Sequence, residues 1–169
     1  MTLECTVIGI SGSRAMTNED LSNTRHYYQT QVVEKVGSSK FSLNPENTVS
    51  LLDMSQVQMI LHNARNNSDI MRILHSVRYG MPIFLHESIR TAMQALKHRP
   101  DMNQRQRIVL IIDSSLKLDP EDQESIMKLT KTIKKLKINV DIIIIGTECS
   151  LKDFFTEFIK NVNGPDNLR

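Results

Sequence analysis

A turn of small polar residues follows the first apolar run of the chain, where several kinds of chemistry are possible. Ser11 and Ser13 flank Gly12 in this turn, and Asp113 ends a later apolar run. Hydroxyl groups and a carboxylate at two strand ends could cradle a phosphate, activate a serine nucleophile or bind a divalent cation. Each of these chemistries needs its own residue spacing, so the spacing discriminates between them.

The glycines of the turn do not have the spacing of a phosphate-binding loop. Such a loop leads directly into a helix, whose N-terminal N–H groups bind the anion. Gly9 and Gly12 are instead followed by a mostly polar segment, and the next predicted helix begins at Asn23. Neither GxGxxG nor GK[ST] occurs here. The sequence therefore argues against a nucleotide site.

Serine catalysis is also disfavoured. A nucleophile elbow has the pattern GxSxG, but Ser13 stands where its second glycine would be. Among the histidines, only His86 precedes a predicted helix that could point at the turn. His86 and its neighbour Glu87 are expected to cap that helix and to interact with its dipole. Chemistry built on Asp113 would need clustered acids and a positioned lysine, which are missing. We expect no catalytic residues and no enzymatic activity.

The turn has the outline of a magnesium site without its leading carboxylate. The pattern Asp-x-Ser-x-Ser, with a second Asp from a neighbouring loop, supplies the hard oxygen ligands that Mg²⁺ prefers. Here Ser11 replaces the first carboxylate, Ser13 keeps one hydroxyl, Ala15 lacks the other, and Asp113 is the remaining acid. We predict a degenerate metal-site rim of Ser11, Ser13 and Asp113 that binds no metal and no cofactor. Asp113 is then a turn or cap residue.

The composition is that of an ordinary globular protein. The 169 residues are 40% hydrophobic and 24% charged, with a formal net charge of +2, so we expect one domain over residues 1–169 and no nucleic-acid partner. No run is long enough to cross a membrane, and none resembles a signal peptide. Cys5 and Cys149 are expected to be free thiols. The lysines at 128–137 indicate either a solvated helix face or an acidic protein partner.

Apolar runs and amphipathic segments alternate along the chain. The apolar runs predict strands at 5–10, 48–54, 56–61, 107–113 and 139–146. The amphipathic segments predict helices at 23–37 (ending at Gly37), 67–77, 88–98, 119–137 (after an Asp119 cap) and 151–162. This alternation predicts a three-layer, Rossmann-like α/β fold: a mostly parallel central sheet with one antiparallel edge strand and helices on both faces.

The predicted fold brings the polar turn close to other strand ends. In open sheets of this kind, ligands bind beyond the carboxyl ends of the strands. Residues 11–16, 113–117 and 146–150 follow three of these ends, so we expect them to share one edge of the sheet.

Longer stretches of sequence resemble a known family. The alternating elements and the polar turn resemble the von Willebrand factor A fold, and the A domain of the family of ubiquitin-receptor subunits in the 26S proteasome is more similar still. That likeness lies in "LNPENTVSLL" (43–52), "ILHSV" (73–77), "ALKHR" (95–99), "QRIVLIID" (106–113), "LTKTIKKLKINVDIIIIGTE" (129–148) and "NVNG" (161–164). It implies a non-catalytic subunit of the regulatory particle, helping lid and base subunits associate in ubiquitin-dependent degradation in the cytoplasm and nucleus.

The chain departs from this family pattern at several positions. Ser11 stands where the family has aspartate, and Glu87 where it has Thr-Gly. No ubiquitin-interacting helix follows within the 169 residues, so ubiquitin binding is not expected from this chain. Whether the chain is naturally short or a fragment stays open.

The turn is the candidate contact surface. We expect Ser11, Gly12, Ser13 and Arg14 to contact protein partners, because an interface needs hydrogen bonds and packing but no metal. The alternative is a free-standing, metal-dependent adhesion or scaffold A domain, whose stability would respond to Mg²⁺. A membrane partner is not expected.

Overall fold

The strands of the computed structural model, which describes residues 3–164, form a single sheet. Within that range the strands are β1 (Glu4–Ile10), β2 (Thr48–Asp53), β3 (Gln58–Ala64), β4 (Arg105–Asp113) and β5 (Ile138–Ile145). Their order across the sheet is β3-β2-β1-β4-β5. Only the β2–β3 pair is antiparallel among these strands, and the other pairs are parallel. The predicted sheet with one antiparallel edge strand is confirmed.

Helices cover both faces of this sheet. The described helices are α1 (Arg25–Leu43), α2 (Asn67–Leu74), α3 (Leu85–Lys97), α4 (Pro120–Lys135) and α5 (Lys152–Asn163), with one short 3₁₀ turn at Arg14–Thr17. One apolar core joins α1 and α2 to the sheet, and a second joins α3, α4 and α5 to the other face. Alternate residues of β4 enter the two cores: Ile108 and Leu110 on one side, Val109 and Ile111 on the other. None of the helices within residues 3–164 is long and apolar enough to cross a membrane.

The helix α1 is longer than the sequence predicts. The prediction that it ends at Gly37 is wrong, because the helix continues to Leu43. Gly37 is buried, and a Cβ there would lie 2.4 Å from Asn67 Oδ1 and 3.1 Å from Ile70 Cδ1. The glycine therefore allows α1 and α2 to approach each other, and it is not a helix stop. Smaller shifts occur elsewhere, such as the start of α3 at Leu85 instead of residue 88.

The strand register places several loops at one edge of the sheet. Ile10 of β1 lies beside Asp53 of β2, and Asp113 of β4 lies beside Ile145 of β5. The residues after these strand ends therefore meet, as predicted. We call this edge the rim and define it as residues 11–14, 54–55, 78–84, 113–115 and 146.

A charged cluster stabilises the opposite edge of the sheet. Glu4 Oε1 lies 2.5 Å from Lys40 Nζ and 3.2 Å from Arg107 Nε, and it accepts a hydrogen bond of 2.8 Å from Thr6. Arg107 also pairs with Asp141. Burial alone would raise the pKa of Glu4, but the hydrogen bonds from Lys40 and Thr6 and the charge of Arg107 together hold it below its ordinary value of 4.5.

Glu4→Gln should lower the free energy of unfolding at pH 7 by about 2 kcal/mol, because it leaves two half-buried cations without their shared acid. A lowered folded-state pKa stabilises the fold above the unfolded value of 4.5, and this contribution is lost as the pH falls through the folded pKa. Urea unfolding of the two proteins should therefore differ at pH 7 and converge at a pH low enough to protonate Glu4 in the folded protein. Glu46→Gln, at an exposed site, is the control, and an equal loss at both pH values would contradict the prediction.

Candidate functional site

The structure brings Ser13 and Asp113 together at the rim. Ser13 Oγ donates a hydrogen bond of 2.7 Å to Asp113 Oδ2. The other carboxylate oxygen, Oδ1, accepts one of 3.1 Å from the backbone N–H of Ser115, and the Ser115 hydroxyl also contacts it. Ser114 N donates to Ile145 O at 2.9 Å, which brings residue 146 to the same place. Asp113 is buried and orders the turn that follows β4.

Ser11 and Gly12 face the interior. Ser11 N donates to Gln29 Oε1 at 2.8 Å, Gln29 Nε2 donates back to Ser11 O at 3.0 Å, and Ser11 Oγ accepts from Ser13 N at 3.2 Å. Gly12 N donates to Ser55 Oγ at 3.1 Å. Both residues are buried. Of the four residues expected to contact a partner, Ser13 is half-buried and Arg14 is exposed, so only these two are accessible to a partner.

A buried arginine, Arg25, lies beside the rim, and the sequence analysis did not identify it. The Arg25 side chain is only 7% exposed. Its Nε and Nη2 donate to the two carboxylate oxygens of Asp20 at 2.8 and 2.7 Å, and its Nη1 lies 4.0 Å from Asp113 Oδ1. Gly146 provides the space, since a Cβ at that position would lie 3.1 Å from Arg25 Cζ. One sequence signal was present: a cation in the first turn of α1 opposes the helix dipole and so requires a specific partner.

The Arg25–Asp20 pair fixes a positive charge beside Asp113. The hydrogen bonds to Asp20 raise the pKa of Arg25 above its ordinary value, and the same bonds lower the pKa of Asp20. Arg25 Nη1 is buried and has no hydrogen-bond acceptor among the described residues. The cation beside Asp113 is therefore a side chain of the protein itself, the guanidinium of Arg25.

The rim residues do not fit a divalent metal ion. Ser11 supplies no carboxylate, Ser13 is hydrogen-bonded to Asp113, and the guanidinium of Arg25 would repel a second cation at this distance. Within residues 3–164, no group of three or more His, Cys, Asp or Glu side chains could hold a metal. The donor set gives no support to a metal-dependent adhesion domain.

His86 does not complete a catalytic arrangement with the rim serines. It lies in the first turn of α3, where its Nδ1 is 3.4 Å from Glu87 Oε1. The Ser13 hydroxyl donates to Asp113 and not to a histidine. The rim therefore has the groups for hydrogen bonding, but no histidine of the described chain is hydrogen-bonded to Ser13 as a general base would be.

Exposed apolar side chains flank the rim. Met81 is 60% exposed and Phe84 is 46% exposed. Ser55 Oγ donates to Met81 O at 3.3 Å, and Phe84 N donates to Met54 O at 3.0 Å, so both belong to loops anchored at the strand ends. Arg14 is exposed at the same rim. Exposed apolar residues next to an arginine are typical of a protein-contact surface.

Comparison with known proteins decides the family. Residues 6–115 match the von Willebrand factor type A domain. The chain belongs to the von Willebrand factor type A domain family. The hydrogen-bonded pair of Ser13 and Asp113, with Arg25 beside it, therefore lies on a von Willebrand factor type A fold.

The curated relatives of this A domain are proteasome subunits. It is 36% identical over 166 residues to the 26S proteasome non-ATPase regulatory subunit 4 of Schistosoma mansoni, with 98% of this chain and 39% of the relative covered. It is 31% identical to the 26S proteasome regulatory subunit rpn10 of Schizosaccharomyces pombe, with 99% of this chain and 68% of the relative covered. The resemblance found in the sequence is confirmed. The chain spans about two fifths of the length of the Schistosoma relative.

Solved structures agree with this assignment. The crystal structure of the SpRpn10 VWA domain superposes with a TM-score of 0.85 at 31% identity, covering 98% of this chain and 85% of that chain. An aerotolerance-related membrane protein from Bacteroides fragilis has a TM-score of 0.75 at 14% identity, covering 95% and 89% of the two chains. The second similarity shows the A-domain fold alone.

Proposed function

We propose that this A domain is a non-catalytic subunit of the 26S proteasome regulatory particle that helps its lid and base subunits associate. It works in the cytoplasm and nucleus, within the machinery of ubiquitin-dependent degradation. Residues 1–169 act as one domain, and we do not expect this domain itself to bind ubiquitin. The relatives named as proteasome regulatory subunits support this proposal.

The observation that carries the proposal is the closure of the rim by Arg25. With Asp20 and Asp113 held by a guanidinium, the rim keeps its shape without a bound ion. Binding can then rest on shape and on desolvation of apolar side chains, which need no metal coordination. The surface offered to a neighbour consists of Ser13, Arg14 and the exposed apolar pair Met81 and Phe84.

Affinity purification of the tagged chain from cells that express it tests this function directly. Quantitative mass spectrometry should recover regulatory-particle subunits in fixed proportion to the chain. Recovery of the chain alone under conditions that keep proteasomes intact would contradict the proposal.

The rim surface makes a sharper prediction. Arg14→Glu combined with Met81→Glu should reduce the co-purified regulatory-particle subunits by about fivefold or more, because a buried charge replaces an apolar contact and a cation is reversed. Both side chains are exposed, so the melting temperature should stay unchanged.

Leu43→Glu is the matched control. Leu43 is also an exposed apolar residue, but it ends α1 at the opposite edge of the sheet. It should leave the recovery of subunits unchanged. Equal losses from the rim and control variants would exclude the rim as the contact surface.

A further inference from the structure

A groove lies between α3 and α4, on the face of the sheet opposite α1. Its volume is about 980 Å³, and it extends from Glu87 near the rim to Met102 and Leu136 at the far end. From Glu87 to Lys97 it follows α3 over roughly 15 Å, or about three helical turns. This length is suited to a short helix.

The groove has an apolar floor. Met93, Met102, Leu129 and Leu136 contribute to its lining, and Met102 and Leu136 are exposed. Two methionines make the floor adaptable, because their unbranched side chains can repack against different apolar partners. Aromatic residues are absent from the lining, so the groove lacks the stacking platform that a single-stranded nucleic acid would use.

The walls of the groove are positively charged. Arg90, Lys97 and Arg99 line it, against the single acid Glu87. Arg99 donates to two backbone carbonyls, and in the described part of the chain none of these three cations forms an ion pair. On α4, Lys135 lies three positions after the lining residue Thr132 and so on the same side of the helix.

We propose that this groove binds an acidic amphipathic helix from a partner protein. The apolar side of such a helix would cover the methionines and leucines, and its Glu and Asp residues would pair with Arg90, Lys97 and Arg99. Recognition of this kind uses anchors at i, i+3, i+4 and i+7. The proposal concerns a surface separate from the rim contacts and does not depend on assembly into the proteasome.

Selection from a displayed peptide library tests the chemistry of the occupant. Helical peptides of about 16 residues would carry Leu or Phe anchors at helical spacing and a random choice of Glu, Lys or Gln elsewhere. After selection for binding to the full chain, the enriched peptides should carry a net negative charge. Their affinity, measured by fluorescence anisotropy, should weaken about fivefold when NaCl rises from about 50 to about 300 mM. Enrichment of neutral or basic peptides, or tighter binding of a uridine oligonucleotide, would overturn the proposal.

Charge reversal locates the site. Arg90→Glu with Lys97→Glu should weaken binding of the enriched peptide by about tenfold or more, and both positions are exposed, so the fold should be retained. The matched control is Lys35→Glu with Lys160→Glu, at exposed positions on α1 and α5. It should change the affinity less than about twofold. Unchanged binding in the Arg90 and Lys97 variant would overturn the proposal while leaving the co-purification results at the rim unaffected.

Discussion

Replacing Arg25 with Met should lower the free energy of unfolding by about 3 kcal/mol, because it removes one partner of a buried charge cluster. Asp20 would lose both hydrogen bonds of its carboxylate, and Asp113 would lose the only cation close to it among the described residues. Methionine replaces the unbranched stem of arginine, so the loss reports mainly on the missing guanidinium, with its charge and its hydrogen bonds. Urea unfolding at pH 7 measures it.

Two further variants separate charge from geometry. Arg25→Lys keeps the charge but cannot form the paired hydrogen bonds to Asp20, so it should lose roughly half as much stability. Asp20→Asn removes the acid at a site that is 31% exposed and leaves Asp113 as the remaining acid beside the guanidinium, so it should cost less stability than Arg25→Met. If Arg25→Met were as stable as the native chain, the arginine would not be the cation that holds the rim together.

Gly146→Ala should lower the free energy of unfolding by about 3 to 5 kcal/mol, from two separate causes. Its φ of +132° is rarely adopted by residues with a side chain. A Cβ there would also lie 1.9 Å from Ser114 Oγ, 2.7 Å from Ser114 Cβ and 3.1 Å from Arg25 Cζ. The variant should therefore displace the turn after β4 together with the guanidinium.

A second substitution tests this steric explanation. Ser114→Gly removes both Ser114 atoms that would clash with the alanine. The double variant Gly146→Ala with Ser114→Gly should lose less free energy of unfolding than the sum of the two single losses. A double-mutant cycle measures this difference. The strain of the positive φ would remain. Strictly additive losses would show that the contact with Ser114 is not responsible.

The sheet could be predicted because its signals are local. In β4 the run Ile108–Ile112 is apolar on both faces, which is typical of a parallel strand buried between helices. The end of α1 could not be predicted in the same way. A glycine late in a helix usually marks its end, but Gly37 instead accommodates Asn67 and Ile70 of α2. Sequence spacing does not show which helix will pack against it.

Only part of the rim was evident from the sequence. The meeting of Ser13 with Asp113 follows from parallel strand ends. The role of Arg25 depends on three separate segments, since Asp20 must fold back onto it and Gly146 must leave it space. Exposure of Met81 and Phe84 was likewise unpredictable, because apolar residues in a loop can face either the core or the solvent.

The central claim is that this A domain binds its proteasome neighbours through a protein surface that needs no metal ion. The most direct test is biolayer interferometry of the chain against a purified regulatory-particle lid that lacks its own copy of this subunit, in buffers with magnesium or with EDTA. We predict saturable binding with the same dissociation constant in both buffers. Binding that requires magnesium, or no saturable binding in either buffer, would contradict the claim.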